Sequence, residues 1–291
     1  MRSWSQAFLI ALRLTLLGHL YNRLALLMAV VFVPAWVWIS GTCLPSTPLT
    51  FRVAVVDAEV TTDISHATQI ISTLPGAATV IGFMMFMTTY KAREMDQRLI
   101  LAGFPRTALS LARLTAMAAV AAVLATQITV LLRMAVGAPQ PAVIWTAGLC
   151  AALAYGGLGT MLGALLNSEL SGLFLVIAVV FAELTLQNPL NNPRADQPWL
   201  VVLPLFGPSQ TATAAAFTHH DPGSGHAALG LLWCASTIAV ATTALYARTR
   251  SYGPHTPPPG PFLPASRAAP PAATDTGVQP AGTHGAPSPR T

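Results

Sequence analysis

The sequence predicts an all-α polytopic membrane protein with six transmembrane helices, an N-terminal amphipathic interfacial helix and a cytoplasmic helix between spans 2 and 3. Two observations lead to this prediction. Only 9% of the 291 residues are charged and 53% are hydrophobic, whereas a soluble domain carries about 25% charged residues. The hydrophobic residues also gather in long runs, most of them near the roughly 20 residues that a helix needs to cross a bilayer.

Six apolar runs define a membrane domain over residues 24–247. The predicted spans are residues 24–39, 68–89, 108–132, 142–166, 170–187 and 227–247. Span 4 is rich in small residues at four-residue spacing, which lets neighbouring helix backbones approach closely. These residues are Gly148, Ala152 and Gly156, followed by Gly159 and Gly163. A partner helix in the same chain and one in a second chain are equally compatible with this pattern.

Residues 1–23 and 248–291 flank the membrane domain and have different patterns. In the first segment, Trp4, Phe8, Leu12 and Leu16 recur every four residues and form one apolar face. This spacing predicts a cytoplasmic amphipathic helix in the membrane interface. The second segment is rich in Pro, Ala and Gly, and such a composition buries too little apolar surface to fold. It is predicted to be a disordered cytoplasmic tail.

The basic residues predict the orientation, because cytoplasmic loops carry an excess of Lys and Arg. With the N-terminus inside, twelve of the 15 basic residues face the cytoplasm and only Arg52, Arg133 and Arg194 face outwards. Both termini are therefore predicted to be cytoplasmic, in a multi-pass protein of the cell (plasma) membrane. The abundance of Arg, Ala, Gly and Pro is typical of bacteria with GC-rich genomes.

The sequence lacks the common patterns of catalysis, such as HExxH and GxSxG, and we predict that the chain is not an enzyme. The phosphate-binding pattern GxxxxGK[ST] is also missing, so the chain does not bind ATP by that mechanism. Energy for transport against a gradient would have to come from another subunit or from an ion gradient. The three cysteines have no metal-ligand spacing, and we expect no metal, cofactor or nucleic acid on this chain.

Glu183 is the main ionisable residue within a predicted span, where a charge is costly and often functional. It lies in the outer half of span 5, about 20 Å from the inner end. Arg133, at the outer end of span 3, is its expected partner. A pathway or gating role, a structural pair with Arg133 and a contact with a loop are all open, and the first would fit an ion-coupled transporter.

The outer segment around residues 199–217 is apolar but broken by Pro204, Gly207 and Pro208. It is therefore too irregular for a full span. Two interpretations are open: a re-entrant hairpin shielded by protein, or a surface helix anchored by Trp199 and Phe206.

The segment Tyr90–Arg113 is charged although apolar runs flank it. Its charged residues Lys91, Arg93, Glu94, Asp96 and Arg98 precede the apolar Leu99–Leu101. Gly103 is a natural helix stop and Pro105 follows it. The pattern predicts a short helix across the membrane surface and a sharp turn into span 3. Such a helix serves either as a docking handle for another protein or as a basic membrane anchor.

Here the sequence resembles the ABC type-2 exporter permeases, which include drug-resistance and antibiotic-export permeases. The resemblance covers the six-span layout, the surface helix before span 1 and the long last outer loop. The matching residues are Asn22-Arg23, Arg93-Glu94, Leu99–Leu101 and Pro105-Arg106. Met95-Asp96 stands where many members have Gly and a hydroxyl residue.

The resemblance implies a permease subunit that works as a homo- or heterodimer in the lipid bilayer. A separate ATP-binding ABC subunit would bind and hydrolyse the ATP and drive export of a hydrophobic or amphiphilic drug, antibiotic, lipid or glycan. The coupling helix that docks this subunit would use Arg93, Glu94, Asp96, Arg98, Pro105 and Arg106. Two alternatives are a non-transporting membrane scaffold or sensor, and an ion-coupled transporter using Glu183.

Overall fold

The computed structural model describes residues 4–192, 194–195, 197–219 and 225–250, with the backbone alone for 248–250. This part of the chain is mostly helical. Helix α1 spans Trp4–Tyr21, and α2 spans Arg23–Cys43 with a π-helical stretch at Met28–Phe32. The other helices are α3 (Ile64–Leu101), α4 (Arg106–Val136), α5 (Pro141–Leu165), α6 (Glu169–Gln187), α7 (Phe206–Phe217) and α8 (Leu229–Arg250). The predicted tail lies outside the described residues.

Within the described residues, six helices are long and apolar enough to cross a membrane, namely α2 to α6 and α8. The prediction of a multi-pass α-helical membrane protein is thereby confirmed. The central helices are α3 and α5, whose most apolar stretches are 83% and 67% buried. The stretches of α2, α6 and α8 are at most 22% buried, so apolar side chains cover much of the outside, as a lipid environment requires.

Glycines bring α3 and α5 into backbone contact. A Cβ built on Gly159 of α5 would lie 2.1 Å from the carbonyl oxygen of Gly82 in α3. One turn further, a Cβ on Gly163 would lie 2.8 Å from the carbonyl oxygen of Phe86. No side chain fits at these distances, and the two helices form the largest part of the core.

The other small residues of α5 also face helices of the same chain. Gly148 lies against Ala125 of α4, and a Cβ on Gly157 would meet the hydroxyl of Thr237 in α8. Helix α5 thus contacts α3, α4, α7 and α8. The sequence was compatible with a partner helix in the same chain or in a second chain. The structure shows that these small residues contact helices of the same chain.

The charged segment after span 2 is not a separate surface helix, and that prediction is wrong. Helix α3 runs unbroken from Ile64 to Leu101 over 38 residues, or about 57 Å at 1.5 Å per residue. Its end therefore extends well past a hydrocarbon core of about 30 Å. The physical reason is that residues 89–101 contain neither Gly nor Pro. Extending an existing helix costs less free energy than nucleating a new one.

The helix stop at Gly103 is confirmed. Gly103 has a φ of 86°, a left-handed conformation that only glycine adopts without strain. The Phe104 N–H donates to the Leu99 carbonyl at 2.9 Å, and the Gly103 N–H donates to the Ile100 carbonyl at 3.1 Å. This pair of bonds is a Schellman motif, and it turns the chain directly from α3 into α4.

Helix α1 lies within the predicted N-terminal segment and packs on α4. Its Ala7 and Ala11 are buried. The Trp4 indole Nε1 donates to the Thr107 hydroxyl at 3.1 Å, which connects the start of α1 to the first turn of α4. Leu9 and Leu14 are exposed, so α1 also presents apolar side chains outwards.

A β-hairpin between α2 and α3 was not predicted. Strand β1 (Pro48–Val53) pairs antiparallel with β2 (Ala58–Asp63). Val53 and Val60 of the hairpin pack on Ala214 of α7. The hairpin therefore lies over α7, at the opposite end of the bundle from Gly103.

Helix α7 is enclosed by protein. Most of its residues are buried, and it packs on α5, α3 and the hairpin. The surface-helix interpretation is therefore wrong for Phe206–Phe217, although Trp199 in the preceding 3-10 turn (Pro198–Val202) is 55% exposed. The re-entrant interpretation requires enclosure of this kind, because protein around the segment keeps its backbone N–H and C=O groups away from lipid.

The close approach of α3 and α5 predicts opposite effects for two glycine-to-alanine changes. Gly159→Ala forces a methyl group onto a backbone oxygen, and we expect it to lower the free energy of unfolding by about 1–3 kcal/mol or more. Gly76→Ala in α3, where a Cβ meets nothing within 4 Å, should raise it by about 0.5–1 kcal/mol. Unfolding of the purified protein in detergent measures both, and a neutral Gly159→Ala would contradict the packing.

Candidate functional site

Arg93 is turned back into the bundle at the end of α3. Arg93 Nε donates to the Gly163 carbonyl oxygen at 2.6 Å. Nη2 donates to the same oxygen and to the Leu166 carbonyl oxygen. Nη1 donates to the Asn167 side chain at 3.4 Å. These acceptors belong to the last turn of α5 and the residues after it, where unpaired carbonyls favour a cation. Arg93 therefore joins α3 to α5.

Asp96 and Arg113 form the ion pair that joins α3 to α4. Arg113 Nη2 donates to Asp96 Oδ1 at 2.6 Å, and Nη1 contacts Oδ2. The pair is thus bidentate, and the two side chains are only 11% and 21% exposed. A planar pair of this kind with little water around it fixes geometry well. Asp96 therefore makes an internal contact.

Glu94 and Arg98 point outwards from the same end of α3. Both are exposed, four residues apart, and Leu101 follows three residues later with 75% exposure. Residues at this spacing share one face of a helix. Met95, beside them, is 60% exposed. We call Glu94, Met95, Arg98 and Leu101 the exposed face of α3.

Pro105 and Arg106 lie in the turn that follows. Pro105 precedes the first helical residue of α4, and the Arg106 guanidinium lies 5.9 Å from the ring centre of Tyr246 in α8. The six predicted coupling residues thus lie at one end of the bundle but differ in role. Arg93 and Asp96 make internal contacts, whereas Glu94, Arg98 and Arg106 are exposed.

A cavity of about 400 Å³ opens beside this turn. Residues of α1, α3, α4 and α8 line it, including Arg106, Arg113 and Tyr246. His19 of α1 also lines it, is 4% exposed, and has no hydrogen-bond partner for either ring nitrogen among the described residues. Burial lowers the pKa of His19, because an apolar surrounding disfavours the charged imidazolium.

Glu183 lies at the opposite end of the bundle and accepts three hydrogen bonds. The Tyr155 hydroxyl donates to Oε1 at 2.5 Å. Oε2 accepts from Gln187 Nε2 at 2.9 Å and from the Leu205 N–H at 2.8 Å. Glu183 is 2% exposed. One carboxyl group therefore joins α5, α6 and the start of α7.

The expected pair between Glu183 and Arg133 is not formed, and that prediction is wrong. The alternative contact with a loop is present, because the Leu205 N–H in the turn before α7 donates to Glu183. Arg133 Nη1 donates to the Ala138 carbonyl at 3.4 Å, within the turn that follows α4. Among the described residues no ion pair joins Arg133 to Glu183. The physical reason is that nearby donors, two side chains and one backbone N–H, already occupy the carboxyl oxygens and satisfy Glu183 without a cation.

Sequence reasoning missed Tyr155, His19 and the cavity. Tyr155 carried a usable signal, because a tyrosine in an apolar span needs a partner for its hydroxyl. His19 and the cavity carried none, since both depend on how α1 packs against the ends of other helices.

No known protein-family model and no curated protein matches this sequence.

The Asp96–Arg113 pair predicts a large asymmetry between neighbouring carboxylates. Asp96→Ala leaves the half-buried Arg113 guanidinium without its partner, and we expect a loss of about 2–4 kcal/mol in the free energy of unfolding. Glu94→Ala, two residues away and exposed, should change it by less than about 0.5 kcal/mol. Unfolding in detergent measures both. Equal effects of the two substitutions would contradict the internal role of Asp96.

The Glu183 network predicts that an amide cannot replace the carboxyl group. In Glu183→Gln the amide oxygen can keep the bonds from Gln187 and Leu205, but the Tyr155 O–H then loses the oxygen to which it donates, at a cost of about 1–3 kcal/mol. Glu169→Gln, at the exposed start of the same helix, is the matched control and should be nearly neutral. Thermal unfolding of both variants tests this, and unchanged stability of Glu183→Gln would disprove it.

Proposed function

We propose that this chain is the membrane-spanning permease subunit of an ATP-binding-cassette exporter. It would move a hydrophobic or amphiphilic compound, such as a drug, antibiotic, lipid or glycan, and work as a homo- or heterodimer. A separate subunit would bind and hydrolyse the ATP. The observation that supports this proposal best is the exposed face of α3, which lies on the rigid continuation of the most buried span.

The composition of this face suits a protein partner. Glu94 and Arg98 supply charges of both signs, while Met95 and Leu101 supply apolar area at 60% and 75% exposure. Protein interfaces combine apolar and methionine contacts with a polar rim. A membrane anchor would instead need basic charge, and the acidic Glu94 argues against that interpretation.

Transmission of force supports the same proposal. The exposed face continues into the glycine contacts with α5 without an intervening loop. Arg93 and the Asp96–Arg113 pair hold this end to α5 and α4. A subunit that moved the exposed face would therefore displace three packed helices together, which is how a conformational change elsewhere can open a path between spans.

The alternatives have less support. Ion coupling through Glu183 requires a carboxyl group that exchanges its partners, but three donors occupy its oxygens. A scaffold or sensor acting through the C-terminal tail would depend on residues that lie outside the described part of the chain.

The docking proposal predicts that a charge swap on the exposed face abolishes co-purification with the ATP-binding subunit. Glu94→Arg combined with Arg98→Glu keeps the net charge and the four-residue spacing, so the helix and its packing should persist. We expect at least a tenfold loss of the partner in a pull-down from membranes, equivalent to about 1.4 kcal/mol.

The matched control is Arg52→Glu combined with Glu59→Arg, an exposed cross-strand pair on the hairpin at the other end. This control should retain the partner fully. Retention of the partner by the α3 swap, with both variants folded, would refute docking at this face.

A further inference from the structure

The cavity beside Gly103 has the size and composition of a ligand site. Its volume of about 400 Å³ lies within the roughly 300–1,000 Å³ that small-molecule sites occupy. Most of the lining surface is apolar, and Met85, Met117 and Ile238 contribute to it. Hydroxyl groups of Thr107 and Ser110 lie along the same wall. An apolar chamber with a few polar groups suits a ligand that is itself amphiphilic.

The charges on the cavity wall favour an anion. The lining of the cavity contains one carboxylate, Asp96, and three arginines, namely Arg93, Arg106 and Arg113. Asp96 already neutralises Arg113, and Arg93 donates to backbone carbonyls. Arg106 contacts the Tyr246 ring and forms no ion pair among the described residues. Within the described residues, the positive charge of Arg106 is therefore not balanced by a carboxylate.

The start of α4 adds to this positive potential. The helix begins at Arg106 and has no side-chain cap at its N-terminus. The first N–H groups of a helix have no intrahelical acceptor, and they attract anions. In α4 the first of these N–H groups belongs to Arg106 itself. The helix N-terminus and the Arg106 guanidinium therefore both contribute positive potential at this end of α4.

His19 is an independent sign of a missing partner. Its side chain is almost completely buried, lines the cavity, and leaves both ring nitrogens without a hydrogen bond among the described residues. A buried polar group without a partner costs about 1–3 kcal/mol, so nearly all such groups in native proteins are satisfied. An oxygen atom of a bound ligand would satisfy the imidazole N–H.

We propose that this cavity binds an anionic amphiphile, that is, an alkyl chain with a carboxylate or phosphate headgroup. The headgroup lies at Arg106 and the start of α4, and the chain lies against Met117 and Ile238. His19 donates to a ligand oxygen. Basic pockets between membrane helices recognise anionic lipid headgroups in this way. The inference does not depend on the proposed ATP-binding partner, because the purified chain alone would bind.

The test is native mass spectrometry of the purified full-length chain in phosphatidylcholine nanodiscs. The probes are oleate, oleoyl lysophosphatidic acid, the neutral monoolein and inorganic phosphate. We expect one bound oleate or lysophosphatidic acid per chain and at least tenfold weaker binding of monoolein. Inorganic phosphate should bind far more weakly than either, because it makes no apolar contacts. If inorganic phosphate bound as tightly as oleate, the cavity would be a site for free anions, and the proposal of an amphiphile site would be wrong.

Four variants complete the test. Arg106→Gln should weaken oleate about tenfold and leave monoolein unchanged, whereas Arg98→Gln, an exposed arginine outside the cavity, should change neither. Ser110→Trp, at an exposed position on the wall, should weaken both lipids by filling the mouth. His19→Leu should weaken oleate without abolishing folding, which a thermal melt checks. Equal binding of oleate to Arg106→Gln and to the unmodified chain would overturn the proposal.

Discussion

The backbone contact between α3 and α5 organises the whole helical bundle. Because Gly159 and Gly163 have no side chains, the two helices approach until carbonyl oxygens occupy the space of a Cβ. Association without a hydrophobic driving force relies on such close packing. Helix α5 can then contact α3, α4, α7 and α8 at once, and α3 becomes the buried axis of the bundle.

Two polar clusters hold the ends of this glycine-packed centre. At one end, Arg93 and the Asp96–Arg113 pair join α3 to α5 and α4. At the other, Glu183 joins α5 and α6 to the start of α7. In surroundings of low dielectric, satisfied polar groups add specificity that apolar contacts lack. This division leaves Glu94 and Arg98 exposed at the end of an unbroken helix, as the proposed docking of a partner protein requires.

The features that the sequence predicted correctly have local causes. The helix stop at Gly103 follows from the conformational freedom of one residue, and the apolar helices follow from their length and hydropathy. The separate surface helix failed because the change from apolar to charged residues near Tyr90 was interpreted as a break. Composition can change along a helix without interrupting its hydrogen bonds, and no Gly or Pro lies between residues 89 and 101.

Six helices long and apolar enough to cross a membrane, and the turn after α3, could be predicted from the residues alone, because hydropathy and backbone freedom act within a few residues. Three further features appear only when the helices pack: Asp96 pairs with Arg113, Tyr155 instead of Arg133 contacts Glu183, and the glycines of α5 face their own chain. The cavity beside His19 belongs to this second group. These features depend on which helix faces which, and residues far apart in the chain set that arrangement together.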